Sequence, residues 1–155
     1  MAIMDARTEF ADAVSVAAVA STINVGNIID TSVVRDLGNG EPVYLNITVD
    51  TDVVTGGSAG TIAFQLVSDS TTTIAVDGTA SNHYTSKSFV TDDAGYDLTA
   101  GKVAVCIALP LEGVAYERYL AVQAVIGTTT TTAGKVNAWL SLNPNVAPHA
   151  YPDAL

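Results

Sequence analysis

Few residues of this chain are of a type that could carry chemistry: two histidines, one cysteine and some grouped carboxylates. His83 stands in a polar stretch and His149 in a proline-bearing tail, and neither has a neighbouring ligand at zinc spacing. Cys106 lies in an alternating apolar run, so it is read as a small buried hydrophobe rather than a nucleophile. With no base placed beside a nucleophile, acyl transfer has no support. Asp50 with Asp52, and Asp92 and Asp93 with Asp97, are groups of a kind that can bind calcium or flank a glycosidic bond. Neither follows a twelve-residue calcium loop, and acidic residues in turns are ordinarily solvated, so the plain reading outweighs both. Gly38-Asn39-Gly40 lacks the lysine and following helix of a phosphate cradle, and Glu41 beside it repels phosphate. Tyr84, Tyr96, Tyr116, Tyr119 and Trp139 would make a sugar-stacking platform if they gathered on one face. Tyr119 and Trp139 each fall on a predicted outer face, which fits a subunit or partner contact better. The expectation is no catalytic residue, no metal and no cofactor.

What must position these residues is one domain, 1–155, since 155 residues can bury roughly 70% of their unfolded surface around a single core. Sixteen acidic residues against six basic ones give a formal net charge of −10, which repels phosphate backbones and anionic lipid. Neither nucleic acid nor membrane is an expected partner. Only 14% of residues are charged while 48% are hydrophobic, a low charge density for a surface wholly in water, so cover by other subunits is expected. Asp5 and Glu9 interrupt the N-terminus where a secretion signal would be basic and then apolar. The run Ala13 to Ala20 falls well short of the ~20 residues a spanning helix needs. A soluble protein made in a cytoplasm is expected.

The elements are strands. Val43, Leu45, Ile47 and Val49 alternate with Tyr44, Asn46 and Thr48, and Val103, Val105, Ile107 and Leu109 alternate with Ala104, Cys106 and Ala108. Ala13 to Ile29 is rich enough in β-branched residues for two short strands, and Ile62, Phe64 and Leu66 define another. Thr71 to Val76 reads as a short strand, and Ser88 to Val90 as a brief pairing segment. Glu117 to Ile126 has both faces mostly apolar, so both are expected to be covered. Val136, Ala138, Leu140 and Leu142 point inward from a last strand that leaves Lys135, Asn137 and Trp139 outside. Met1 to Asp12 is expected to be an N-terminal arm with Phe10 as its apolar anchor. Asn143 to Leu155, with Pro144, Pro148 and Pro152, is expected to lie as a tail along a surface. About eight short antiparallel strands without a long amphipathic helix make an all-β jelly roll or β-sandwich.

Several short motifs then occur in order: Phe10-Ala11-Asp12-Ala13, Ala20-Ser21-Thr22, Arg35-Asp36-Leu37-Gly38-Asn39-Gly40-Glu41-Pro42-Val43-Tyr44-Leu45, Glu117-Arg118-Tyr119-Leu120, Thr132-Ala133-Gly134-Lys135-Val136 and Ala150-Tyr151-Pro152. In this order the chain resembles the small cement, or decoration, proteins of short-tailed bacteriophage capsids, of the type on the Bordetella phage head. The resemblance covers most of the chain and fades from about Thr51 to Gly101. It implies a jelly roll, without enzymatic activity, that assembles as a homotrimer. The trimer would sit between major capsid proteins on the head exterior and stabilise the shell. Phe10, Arg35, Asp36, Glu41, Arg118, Tyr119, Lys135, Trp139 and Tyr151 are then expected to be interface or structural residues. Arg35, Asp36, Glu117 and Arg118 fit equally an intrachain ion-pair network fixing the loop after Asp30 and an intersubunit one. A carbohydrate-binding or adhesive β-sandwich on a virion or cell surface is the alternative, resting on the tyrosines, Trp139 and the loop carboxylates. A hydrolase using Asp50, Asp52, Asp92 or Asp93 would need those carboxylates to converge in a cleft.

Overall fold

The computed structural model describes residues 7–32, 40–55, 59–92 and 97–145, and these form nine strands with no helix among them. In chain order the strands are β1 (Glu9–Ser15), β2 (Thr22–Asp30), β3 (Tyr44–Thr55), β4 (Thr61–Asp69), β5 (Ser81–Thr85), β6 (Phe89–Val90), β7 (Val103–Ala108), β8 (Tyr119–Gly127) and β9 (Thr131–Ser141). One sheet has the order β1-β9-β3-β7; the other has β2-β8-β4-β5, with β6 also pairing β4. Every pairing is antiparallel. This alternation of strands between two sheets is the jelly-roll arrangement. Successive connections therefore gather at two ends, with the β2–β3, β4–β5 and β7–β8 connections sharing one of them.

Period-two alternation does the folding work. Leu45, Ile47 and Val49 of β3, Ile62, Phe64 and Leu66 of β4, Leu120, Val122, Ala124 and Ile126 of β8, and Val136, Ala138 and Leu140 of β9 all enter one core between the sheets. At about 25 cal/mol per Å² of apolar surface removed from water, this packing is the dominant stabilising contribution. Where β1 and β2 close the side of the sandwich, the backbone carbonyl of Phe10 lies against Gly26, whose φ of +73° suits glycine. Gly26 falls at the irregularity in the β2–β8 register between Val25 and Ile29. Ala13, at φ +48°, kinks β1, and its N–H is taken by Asn137 Oδ1 at 2.6 Å.

Several expectations need correction. Glu9 to Asp12 belong to β1, not to an arm, and Phe10 is fully buried, because its side chain fills the core while the backbone at Thr8 already pairs with Leu140. Residues 1–6 of the expected arm, and 146–155 of the expected tail, lie outside the described residues. β3 continues through Asp50 and Asp52, which were expected in a loop; Asp52 Oδ1 accepts the Ala100 N–H at 2.6 Å. Thr71 to Val76 is not a strand. It lies instead as a flap on the outer face of the second sheet, its carbonyls taken by side-chain amides: Asn24 Nδ2 donates to Ile74 O and Gln123 Nε2 to Ala75 O. Ile74 packs there against Val67 and Ala121, so both faces of β8 are covered, as its pattern implied. The polar stretch containing His83 holds strand β5. Cys106 is half-buried on the outer side of β7 rather than in the core, because Val105 takes the inward position.

Candidate functional site

The end of the sandwich where β2 and β7 finish and β3 and β8 begin holds a cavity of about 850 Å³ with mainly apolar walls. Pro42, Val43, Leu109, Leu120 and Leu140 supply those walls, with Glu41, Glu117 and Arg118 among the polar residues that line it. Arg118 is fixed in place by Asp30: Nε donates to Oδ1 at 3.0 Å and a terminal guanidinium nitrogen donates to Oδ2 at 2.9 Å. This two-pronged pair matches the planar fork of guanidinium to a carboxylate. The Arg118 guanidinium, with support from the Ser32 amide and hydroxyl, holds the Asp30 carboxyl well below the usual carboxylate range, and the pairing raises Arg118 in return. The guanidinium also lies 4.9 Å from the centre of the Tyr119 ring. Thr31 donates both its N–H and its hydroxyl to the Arg118 carbonyl, at 2.8 and 2.7 Å, locking the end of β2 to the start of β8.

Beside this pair is a second polar cluster. His83 Nε2 and Ser68 Oγ are 2.7 Å apart, the Glu117 N–H donates to the same Ser68 Oγ at 3.0 Å, and Ser81 Oγ donates to the Glu117 carboxylate at 2.6 Å. The Tyr116 ring stacks on the His83 ring at 3.9 Å, and the backbone at Val114 accepts a hydrogen bond from the imidazole. With the ring proton facing Val114, Nε2 is the acceptor and Ser68 the donor. Burial pushes the His83 imidazolium below its ordinary range, which keeps that neutral arrangement. A serine hydroxyl at this distance from an imidazole has the spacing of a nucleophile and its base. Ser68, however, is 0% exposed and its oxygen already accepts an N–H, so the pair acts as a structural clasp on the 109–118 loop.

The expected site residues separate into distinct places. Glu41, Arg118 and Tyr119 come together at this end, and of the two readings of Arg118 the structure provides the intrachain partner, Asp30. Arg35, Asp36 and Tyr151 lie outside the described residues. Phe10 is a core residue. Lys135 is exposed on β9, away from the cavity end. Trp139 does face outward from the first sheet, but it is only 6% exposed, so the expected displayed ring is a covered one. The end of β9 and the residues after it are tied to β3: Asn46 Nδ2 donates to Oγ of Ser141, the last residue of β9, at 3.1 Å, and the Asn145 N–H donates to Asn46 Oδ1 at 2.8 Å. Tyr96 lies outside the described residues; of the other aromatics, Trp139, Tyr84, Tyr116 and Tyr119 form no shared stacking platform, since Tyr84 packs on the core and Tyr116 is taken by His83.

Residues that matter here without having been singled out are Asp30 as the partner of Arg118, Ser68, and the apolar Leu111 and Val114. The sequence signal for the last two was an apolar pair inside the turn-rich stretch Pro110-Leu111-Glu112-Gly113-Val114. Gly56-Gly57-Ser58-Ala59-Gly60 also matches the Gly-x-Ser-x-Gly string of a nucleophile elbow, but it joins β3 to β4, and the elbow requires a helix after the strand. Among the described residues no three histidine, cysteine or carboxylate side chains gather as a metal site.

A protein-family model matches residues 10–140, from the second residue of β1 to the penultimate residue of β9. The chain belongs to the Bbp16 family. The Bbp16 name points to a family derived from a Bordetella phage and so to a phage protein, which is the coarser part of what the sequence motifs implied. No curated protein matches the chain. The Bbp16 match takes in both sheets, the cavity end and the whole of the 109–118 loop.

Proposed function

We propose that this Bbp16 protein is a cement protein of a phage head, binding as a homotrimer on the exterior between major capsid proteins and stabilising the shell. The observation that carries the reading is the apolar surface that, among the described residues, is gathered at one end of the sandwich, where the cavity and the 109–118 loop lie. Apolar surface of that extent on a rigid end marks a protein contact. The edge strands support assembly: β7, from Val103 to Ala108, ends its sheet without a proline or a lysine to block pairing. Three weak contacts carried by one trimer hold a shell far more firmly than any contact alone. The net charge of −10 keeps such a protein off packaged nucleic acid.

The test is direct. Sedimentation equilibrium of the purified chain gives a trimer, and the trimer co-sediments with expanded heads prepared without it and raises the temperature at which they rupture. A monomer at every concentration that leaves heads unbound and no more heat-resistant removes the proposal.

A further inference from the structure

We infer that the 109–118 loop is a preorganised docking tip for a protein surface apolar at its centre and basic at its rim. Resting on the cement reading above, this assigns the contact to a face of the major capsid protein. Leu111 is 94% exposed, and Val114 and Tyr116 follow it as exposed apolar residues. One exposed leucine carries no meaning on its own. Here three lie within six residues, and two of them, Leu111 and Tyr116, line the apolar cavity together with Val43, Leu109 and Leu140.

The loop is fixed before any partner arrives. The Leu109 N–H donates to Val43 O at 2.8 Å at one root, and Thr31 holds the Arg118 carbonyl at the other. Between them the Glu117 N–H is bonded to Ser68, and Tyr116 is stacked on His83. The entropy of ordering the loop is thus lost on folding and not on binding, which is the condition for an efficient anchor.

Charge selects the partner. Among the described residues Glu41, Glu112 and Glu117 flank the apolar ones, and the arginine beside them, Arg118, is engaged by Asp30. A second copy docking by the same tip would set Glu41, Glu112 and Glu117 against their own equivalents, so a tip-to-tip contact brings like charges together. A partner with lysines or arginines around an apolar patch satisfies both parts of the surface.

The experiment uses the full-length trimer, empty expanded heads, and the double variant Leu111→Ser with Val114→Ser, both sites being exposed enough to leave folding intact. The variant is expected to keep its trimer mass and melting temperature and to bind heads at least tenfold more weakly. Glu41→Lys with Glu112→Lys is expected to weaken binding several-fold, and the wild-type affinity to fall as salt rises from low to high. Wild-type affinity for heads in the serine variant overturns the inference while leaving the cement reading intact. Loss of the trimer in that variant also overturns it, by making the tip a subunit seam. Absence of head binding by the wild type removes the cement reading itself and the partner assigned here with it.

Discussion

Replacing Gly26 by alanine tests how the sandwich is closed along the β1–β2 side. A Cβ there would stand 2.0 Å from the Phe10 carbonyl oxygen, where ordinary contact begins at 3.4 Å, so 3.4 − 2.0 = 1.4 Å must be opened between two backbones. Neither backbone can swing aside as a side-chain tip would. Two effects add. Holding alanine at φ +73° costs about 1–2 kcal/mol. Shifting β1 also draws the fully buried Phe10 ring from the core, forfeiting part of the roughly 3–5 kcal/mol that removing such a ring costs. The expected loss is about 3–5 kcal/mol in total, or on the order of 6–20 °C of melting temperature for a domain of this size. Gly78→Ala is the internal control, because Gly78 has φ +90° but nothing within 4 Å of the added carbon. It should cost only the conformational part, about 1–2 kcal/mol. Urea unfolding followed by far-ultraviolet circular dichroism gives both values. Equal losses in the two variants, within about 0.5 kcal/mol, would refute the close-approach account.

Other perturbations give further tests. Trp139 is buried with its Nε1–H unbonded among the described residues, so Trp139→Phe should be neutral or slightly stabilising while Trp139→Ala costs about 3–5 kcal/mol; a loss above about 2 kcal/mol in the phenylalanine variant would show that the N–H is satisfied. Because burial lowers the folded-state affinity of His83 for a proton, the unfolded chain binds more protons as the pH falls through 6.5; the contribution of this clasp is complete above that value and declines below it. Urea midpoints between pH 8 and 5.5 should show that decline in wild type and lose it in His83→Gln, and an unchanged slope in His83→Gln would contradict the clasp. Asp30 is the opposite case, a carboxyl depressed by Arg118, whose stabilisation is present above 3.8 and lost as acid protonates it. Arg118→Ala should therefore melt lower than wild type at pH 7, with the gap shrinking as the pH drops below about 4; a gap independent of pH would exclude the pair as its source.

The all-β class and the strands with strict alternation were legible from residue order alone, because a face buried between two sheets imposes period two on Leu45, Ile47 and Val49 without exception. Where the pattern misled, another interaction had replaced the buried face. β5 is polar because it lies at a sheet edge and its bonds run through Ser68, Ser81 and His83, so no apolar stripe announces it. The β-branched Thr71–Val76 carries the composition of a strand but finds its partners in Asn24 and Gln123 side chains, which local propensity does not register. Arg118 was visible as part of a motif, yet Asp30 lies 88 residues earlier and only the sheet order brings the two together. Trp139 was assigned to the correct side of its strand, but its burial depends on what packs over that side, which no periodicity encodes.

The flap over β8 has a consequence for crowding. A flat sheet face invites another sheet to stack at about 10 Å, and many copies held side by side on one particle would raise that hazard sharply. Ile74 and the amide of Gln123 keep a layer of threonines and turn backbone over this face, so a neighbouring subunit meets a surface that offers no sheet to stack upon. If the protein coats a phage head as proposed, its copies would thus stand close together without sheets stacking between them.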